Sequence, residues 1–157
     1  MTINLVGHWP KELASAINKV ERVLSKDSKL NHPTGIINLK LVDDDEIKAL
    51  NKRYSGNAYS TDVLTFTYDD SPTVGTPKNI GQSTIADVVI SLPTATVQAR
   101  QAETGLDDEV ALLALHGILH AIGRDHPDER SQQQLDTDQA RILKSAGLKY
   151  RNFNWEQ

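Results

Sequence analysis

The stretch DDEVALLALHGILHAIG, residues 107–123, constrains this chain most: it reads as its most apolar helix, and such a helix belongs at the centre of a fold. Asp107 and Asp108 complement the positive end of a helix dipole and mark its start. Val110, Leu113, Ala114, Gly117, Ile118 and Ala121 fall where they can face a core, and Gly123 suits the left-handed turn that ends a helix.

The flanking segments supply the layers for such a helix. Thr2 to Val6 can form a short strand, and Pro10 suits the first turn of a helix carrying Leu13, Ala16, Ile17, Val20, Val23 and Leu24 at helical spacing. HPTG at 32–35 breaks the chain, and IINLKLV then alternates as a half-buried strand. Asp43 to Asp45 precede EIKALNKRY and are read as a helix start rather than a metal cluster. STDVLTFTY at 60–68 and STIADVVISL at 83–92 are strands on either side of a loop at 69–79. Pro93 opens a polar helix through about Glu103 that Gly105 closes, and a last helix runs from Glu129 to Ser145 with Leu135, Ile142 and Leu143. The expectation is one α+β domain over residues 1–157: a small mixed sheet packed with several helices, the apolar one central.

That central helix also carries chemistry. His116 and His120 are four residues apart, which puts both imidazoles on one helical face, about 5–6 Å apart at Cβ. Gly123 turns the chain so that His126 can swing back as a third ligand. Five histidines in 157 residues give this +4, +10 pattern by chance about once in two hundred. With no cysteine in the chain, a transition metal must be held by His, Asp or Glu. Three imidazoles leave zinc its full charge and an open fourth position, the arrangement of a catalytic site, although nickel and copper also accept imidazole. His8 and His32 sit in expected turns and read as solvent-exposed. Asp125, beside His126, either orients a ligating imidazole or caps the next helix.

The spacing HGILHAIGRDH outlines the zinc protease pattern HExxHxxGxxH, but Gly117 stands where the protease has its glutamate base. Peptide hydrolysis is therefore disfavoured, and a glycine inside a helix, costing about 1 kcal/mol against alanine, points to close packing there. Lys plus Arg number 17 against 21 Asp plus Glu, so the net charge of −4 provides no global field for nucleic acid, and any RNA must meet a local patch. Lys48, Lys52, Arg53, Lys78 and Arg100 are its candidates. The N-terminus MTINLVGHWPKEL lacks a basic region followed by a long apolar run, and the reading is a cytoplasmic protein with no membrane span.

HGILHAIGRDH resembles the HGxLHLxGxDH signature of the YbeY family, bacterial single-strand-specific metallo-endoribonucleases. LNKRYSGNAYSTDVLTF at 50–66 is similar to that family's LNxxYRxxxxxTDVLSF segment, and IADVVIS at 85–91 to its GDIxIS strand, so the likeness covers most of residues 36–146. The resemblance implies an α+β fold, one zinc held by His116, His120 and His126, and work on ribosomal RNA: maturation of the 16S rRNA 3′ end and ribosome quality control at the small subunit. After Tyr54 the family usually has an arginine thought to act at the phosphate. This chain has Ser55, and Arg53 is the nearest replacement, its alternative role being that of a solvated helix residue. Ala86 replaces a glycine, and Gln132 to Leu135 lack the methionine common after the DH. Besides a zinc-dependent endoribonuclease, two other classes are open: a ribosome-associated binding module with structural zinc, and a metallohydrolase acting on peptides or small molecules.

Overall fold

The computed structural model describes residues 1–55, 61–68, 83–123 and 128–151. The elements are β1 (Thr2–Val6), α1 (Lys11–Lys26), β2 (Ile36–Val42), α2 (Asp44–Ser55), β3 (Val63–Thr67), β4 (Thr84–Ser91), α3 (Leu92–Ala102), α4 (Leu106–Ala121) and α5 (Glu129–Ser145). The four strands form one mixed sheet in the order β1-β2-β4-β3. β1, β2 and β4 run parallel, and β3 pairs antiparallel with β4, Thr65 opposite Val88. The expected α+β architecture is therefore present, with β3 as an antiparallel edge.

Alternation along the strands sorts side chains onto two faces. Ile37, Leu39, Ala86, Val88 and Ile90 point to the face shared with α1, α4 and α5, where Leu13, Ile17, Val20, Leu115, Ile118 and Ile142 complete the main core. Val42 and Val89 point the other way and meet Ile47 of α2, with Leu50, Leu64 and Phe66 around them. The central helix α4 packs against β2, β3 and β4 and also against α1, α3 and α5. Sequence spacing suggested a buried stripe on α4. Instead every residue from Glu109 to Leu119 is buried, and Ala121 is only half-buried, because helices cover the sides that the sheet does not.

Local chemistry explains several element ends. Asp43 Oδ1 accepts the Glu46 amide at 2.8 Å, so the acidic run starts α2 as expected. Asp44 does something the sequence does not announce: its Oδ1 accepts the hydroxyls of Ser91 at 2.6 Å and Thr94 at 2.9 Å, tying α2 to the β4–α3 junction. The end of α3 is a correction. The left-handed residue there is Glu103 (φ 56°), whereas Gly105 is extended (φ −73°) and serves as the N-cap of α4, its amide donating to Asp108 Oδ2 at 3.0 Å. Gly123, with φ +99°, closes α4 in a backbone region that side chains rarely adopt. The expected loop at 69–79 lies outside the described residues. Among the described residues no helix is long and apolar enough to cross a membrane.

Candidate metal centre

The second half of α4 brings the two helical histidines together. The His116 and His120 ring centroids are 4.6 Å apart with the planes at 65°. His116 is buried, at 4% exposure, while His120, one turn nearer the helix end, is half-exposed. What sets the position of this turn is Gly117 between them. A Cβ built at 117 would lie 2.5 Å from Val88 Cγ1 and 3.1 Å from Thr65 Oγ1, so the helix backbone is pressed directly onto β4 and β3. The Thr65 hydroxyl donates a long hydrogen bond, 3.5 Å, to the Gly117 carbonyl. The close packing expected of this glycine is thus seen, and its partner is the sheet.

His116 is also held from the other side. Its Nδ1 lies 2.9 Å from Oε1 of Gln139 on α5, and Gln139 is wholly buried. An amide oxygen only accepts, so this contact is a hydrogen bond in the tautomer that carries the ring proton on Nδ1 and leaves the lone pair on Nε2. The other end of the amide looks towards Tyr150. Gln139 Nε2 and the Tyr150 hydroxyl are both buried and complete no hydrogen bond of ordinary geometry, yet they lie near enough to interact. Burial first, and then the charge of Asp136, push the Tyr150 pKa up, while the Gln139 amide and Arg151 act against the rise. Sequence reading passed over Gln139. Its signal was position: it lies four residues after Leu135 and three before Ile142, on the buried stripe of an otherwise polar helix.

His126 and Asp125 lie outside the described residues, as does Lys78. Among the described residues no group of three or more His, Cys, Asp or Glu is assembled for a metal. As donors, the His116 and His120 imidazoles suit a borderline ion such as zinc. Arg53 is exposed on the last turn of α2, a helix whose apolar side packs on the sheet face opposite α4. Ser55 ends α2. Lys48, Lys52 and Arg100 are exposed, and so are His8 and His32. The His32 ring contacts the Asp27 carbonyl.

On the α2 face of the sheet, Asn4 donates to Asn38 at 2.9 Å, Asn38 donates to Asp87 at 2.9 Å, and the Tyr68 hydroxyl donates to the same carboxylate. Asn38, Tyr68 and Asp87 of this ladder line a cavity of about 630 Å³ that has no histidine among its described lining residues.

Comparison with known proteins agrees with this architecture. The family described as Endoribonuclease YbeY matches residues 6–147. The Endoribonuclease YbeY of Gloeobacter violaceus is 43% identical over 118 residues, 73% of this chain and 58% of that protein's own length. That of Moorella thermoacetica is 35% identical over 88% of this chain and 90% of its own, and that of Desulforamulus reducens 33% over 92% and 97%. The solution structure of TM1509 from Thermotoga maritima shares the fold, with a TM-score of 0.63 at 24% identity over 92% of this chain and 89% of that one. With a family match spanning nearly the whole length and relatives above 30% identity across most of it, the chain belongs to the YbeY endoribonuclease family of RNA-cleaving hydrolases.

Proposed function

We propose that this chain is a zinc-dependent endoribonuclease that cuts single-stranded RNA in the cytoplasm, acting on the 3′ end of 16S rRNA and in quality control of the small ribosomal subunit. The observation that carries the metal reading is the pair of adjacent, edge-on imidazoles on α4, one of them in contact with Gln139, placed just before the turn that leads to His126. His116, His120 and His126 would hold the ion. Bound there, it supplies Lewis-acid polarisation of a phosphoryl oxygen. The chain's own residues grip and orient. No carboxylate follows His116, and RNA reduces the need for one because its 2′-hydroxyl is an internal nucleophile. Attack by that hydroxyl leaves a 2′,3′-cyclic phosphate, and attack by water leaves a simple phosphate end. The exposed Lys48, Lys52, Arg53 and Arg100 supply charge for phosphates, with Arg53 the candidate nearest the family's arginine position.

The test joins metal analysis of the purified protein to cleavage of a single-stranded RNA, with and without chelator, in wild type and His120→Ala. The expected result is one metal per chain, cleavage abolished by chelator and by the substitution, and RNA affinity that falls as salt rises. Equal cleavage by His120→Ala would refute the enzyme assignment. Tight metal binding that raises the melting temperature without any cleavage would replace it with a ribosome-associated module whose zinc is structural.

A further inference from the structure

We propose that Gln139 is a positioning residue of the metal centre: it selects the Nδ1–H tautomer of His116 and fixes the rotation of the ring, presenting Nε2 to the ion. The inference rests on the three-histidine reading above and adds to it a residue from a different helix. Its basis is the 2.9 Å contact between His116 Nδ1 and Gln139 Oε1, both side chains buried. Water favours the Nε2–H form of a neutral imidazole, which would put a proton on the nitrogen that has to donate to the metal. An acceptor held at Nδ1 reverses that preference. Outer partners of ligating histidines act in this way, and they are usually carboxylates or backbone carbonyls. Here the acceptor is a neutral amide.

The environment of Gln139 points to its carbonyl oxygen as the end of the amide that is used. Leu135 and Ile142 flank it on the buried stripe of α5, and its Nε2 is buried without completing a good hydrogen bond. An apolar residue of similar size would remove that burden but leave the buried His116 Nδ1 without its partner. What an apolar residue cannot do is accept the Nδ1 proton. Being uncharged, the amide also orients His116 without adding negative charge beside the ligand set, so its influence falls on ring geometry and tautomer.

The experiment compares wild type, Gln139→Met, Gln139→Glu and His120→Ala. Ring ¹⁵N shifts of the metal-free proteins report the His116 tautomer, and competition with a chromophoric chelator reports zinc affinity. Wild type is expected in the Nδ1–H form. Gln139→Met is expected to lose that preference and to bind zinc about 10–100-fold more weakly. Gln139→Glu, which keeps an acceptor at the same place, is expected to restore both. Wild-type His116 in the Nε2–H form would overturn the inference without need of any variant. So would a folded Gln139→Met with unchanged tautomer and affinity, or a Gln139→Glu that rescues neither. Failure of the metal reading looks different: wild type and His120→Ala would take up zinc equally, whatever the tautomer.

Discussion

Gly117→Ala sets helix propensity against packing at one atom, and the structure decides between them. Alanine is better than glycine in a helix interior by about 1 kcal/mol, so propensity alone makes the substitution stabilising. The added methyl, however, would lie 2.5 Å from Val88 Cγ1 and 3.1 Å from Val88 Cγ2. Val88 cannot easily retreat. It is fully buried, its β-branched side chain has few χ1 choices, and its strand lies between β2 and β3. Overpacking of such a contact costs about 1–3 kcal/mol, so the net change is a loss of roughly 1 kcal/mol, read as a melting temperature lower by about 2–4 °C for a chain this size. The helix must also lift from the sheet at the turn that carries both histidines, and zinc affinity should fall with stability.

Thermal denaturation of Gly117→Ala, Val88→Ala and the double variant measures the effect. Removing the Val88 methyls makes room for the new one, so the double variant should be more stable than the summed single effects by about 1 kcal/mol. A Gly117→Ala protein that melts above wild type, or a strictly additive double variant, would refute the packing argument.

Two ion pairs give further predictions. Glu109 on α4 is buried at 1% exposure and receives Arg151 Nε at 2.8 Å. Arg151→Met strands that carboxylate and should cost about 3–5 kcal/mol, whereas Glu109→Gln leaves a partly exposed guanidinium that can turn to water and should cost less; melting temperatures in the opposite order would contradict this. Burial works to raise the Asp27 pKa, but hydrogen bonds from Arg141 and the Lys29 amide outweigh it and hold the carboxyl below its usual value. Its stabilisation is therefore full above about pH 4 and lost as pH falls through the lowered value. The melting-temperature gap between wild type and Asp27→Asn should be largest near neutrality and close in acid, and a gap that widens below pH 4 would show the sign to be wrong.

Which features could be read from the sequence follows from the range over which each is determined. The ends of α5 were legible because the cap is local: Asp128 accepts the Ser131 amide at 2.8 Å, and the helix stops at Ser145, two residues before Gly147. The facing of His116 and His120 was legible for the same reason, since a spacing of four on a helix imposes it. Strand order was not, because nothing within β3 says that it pairs antiparallel with β4 at the edge of an otherwise parallel sheet. The burial of α4 from Glu109 to Leu119 likewise depends on three other helices. Glu103 replaced Gly105 as the left-handed residue because Gly105 was needed two positions later as an N-cap. Gln139 lay between these cases: its place on the apolar stripe was local, but its partner 23 residues away was not.

The missing glutamate can now be explained sterically. Position 117 is where the zinc protease pattern carries its glutamate base. The direction in which a side chain would leave residue 117 is filled by Val88 and Thr65, both on the sheet. A carboxylate at this position would have to displace a buried strand before reaching any substrate, and it would be desolvated without a partner. Hydrolysis of a substrate that needs a base adjacent to the first histidine is thus incompatible with the way α4 docks on β3 and β4. The same docking holds the imidazole pair at a defined height against the sheet, and Gln139 fixes one ring from the opposite side. Close helix–sheet contact occupies the space that a base at position 117 would need.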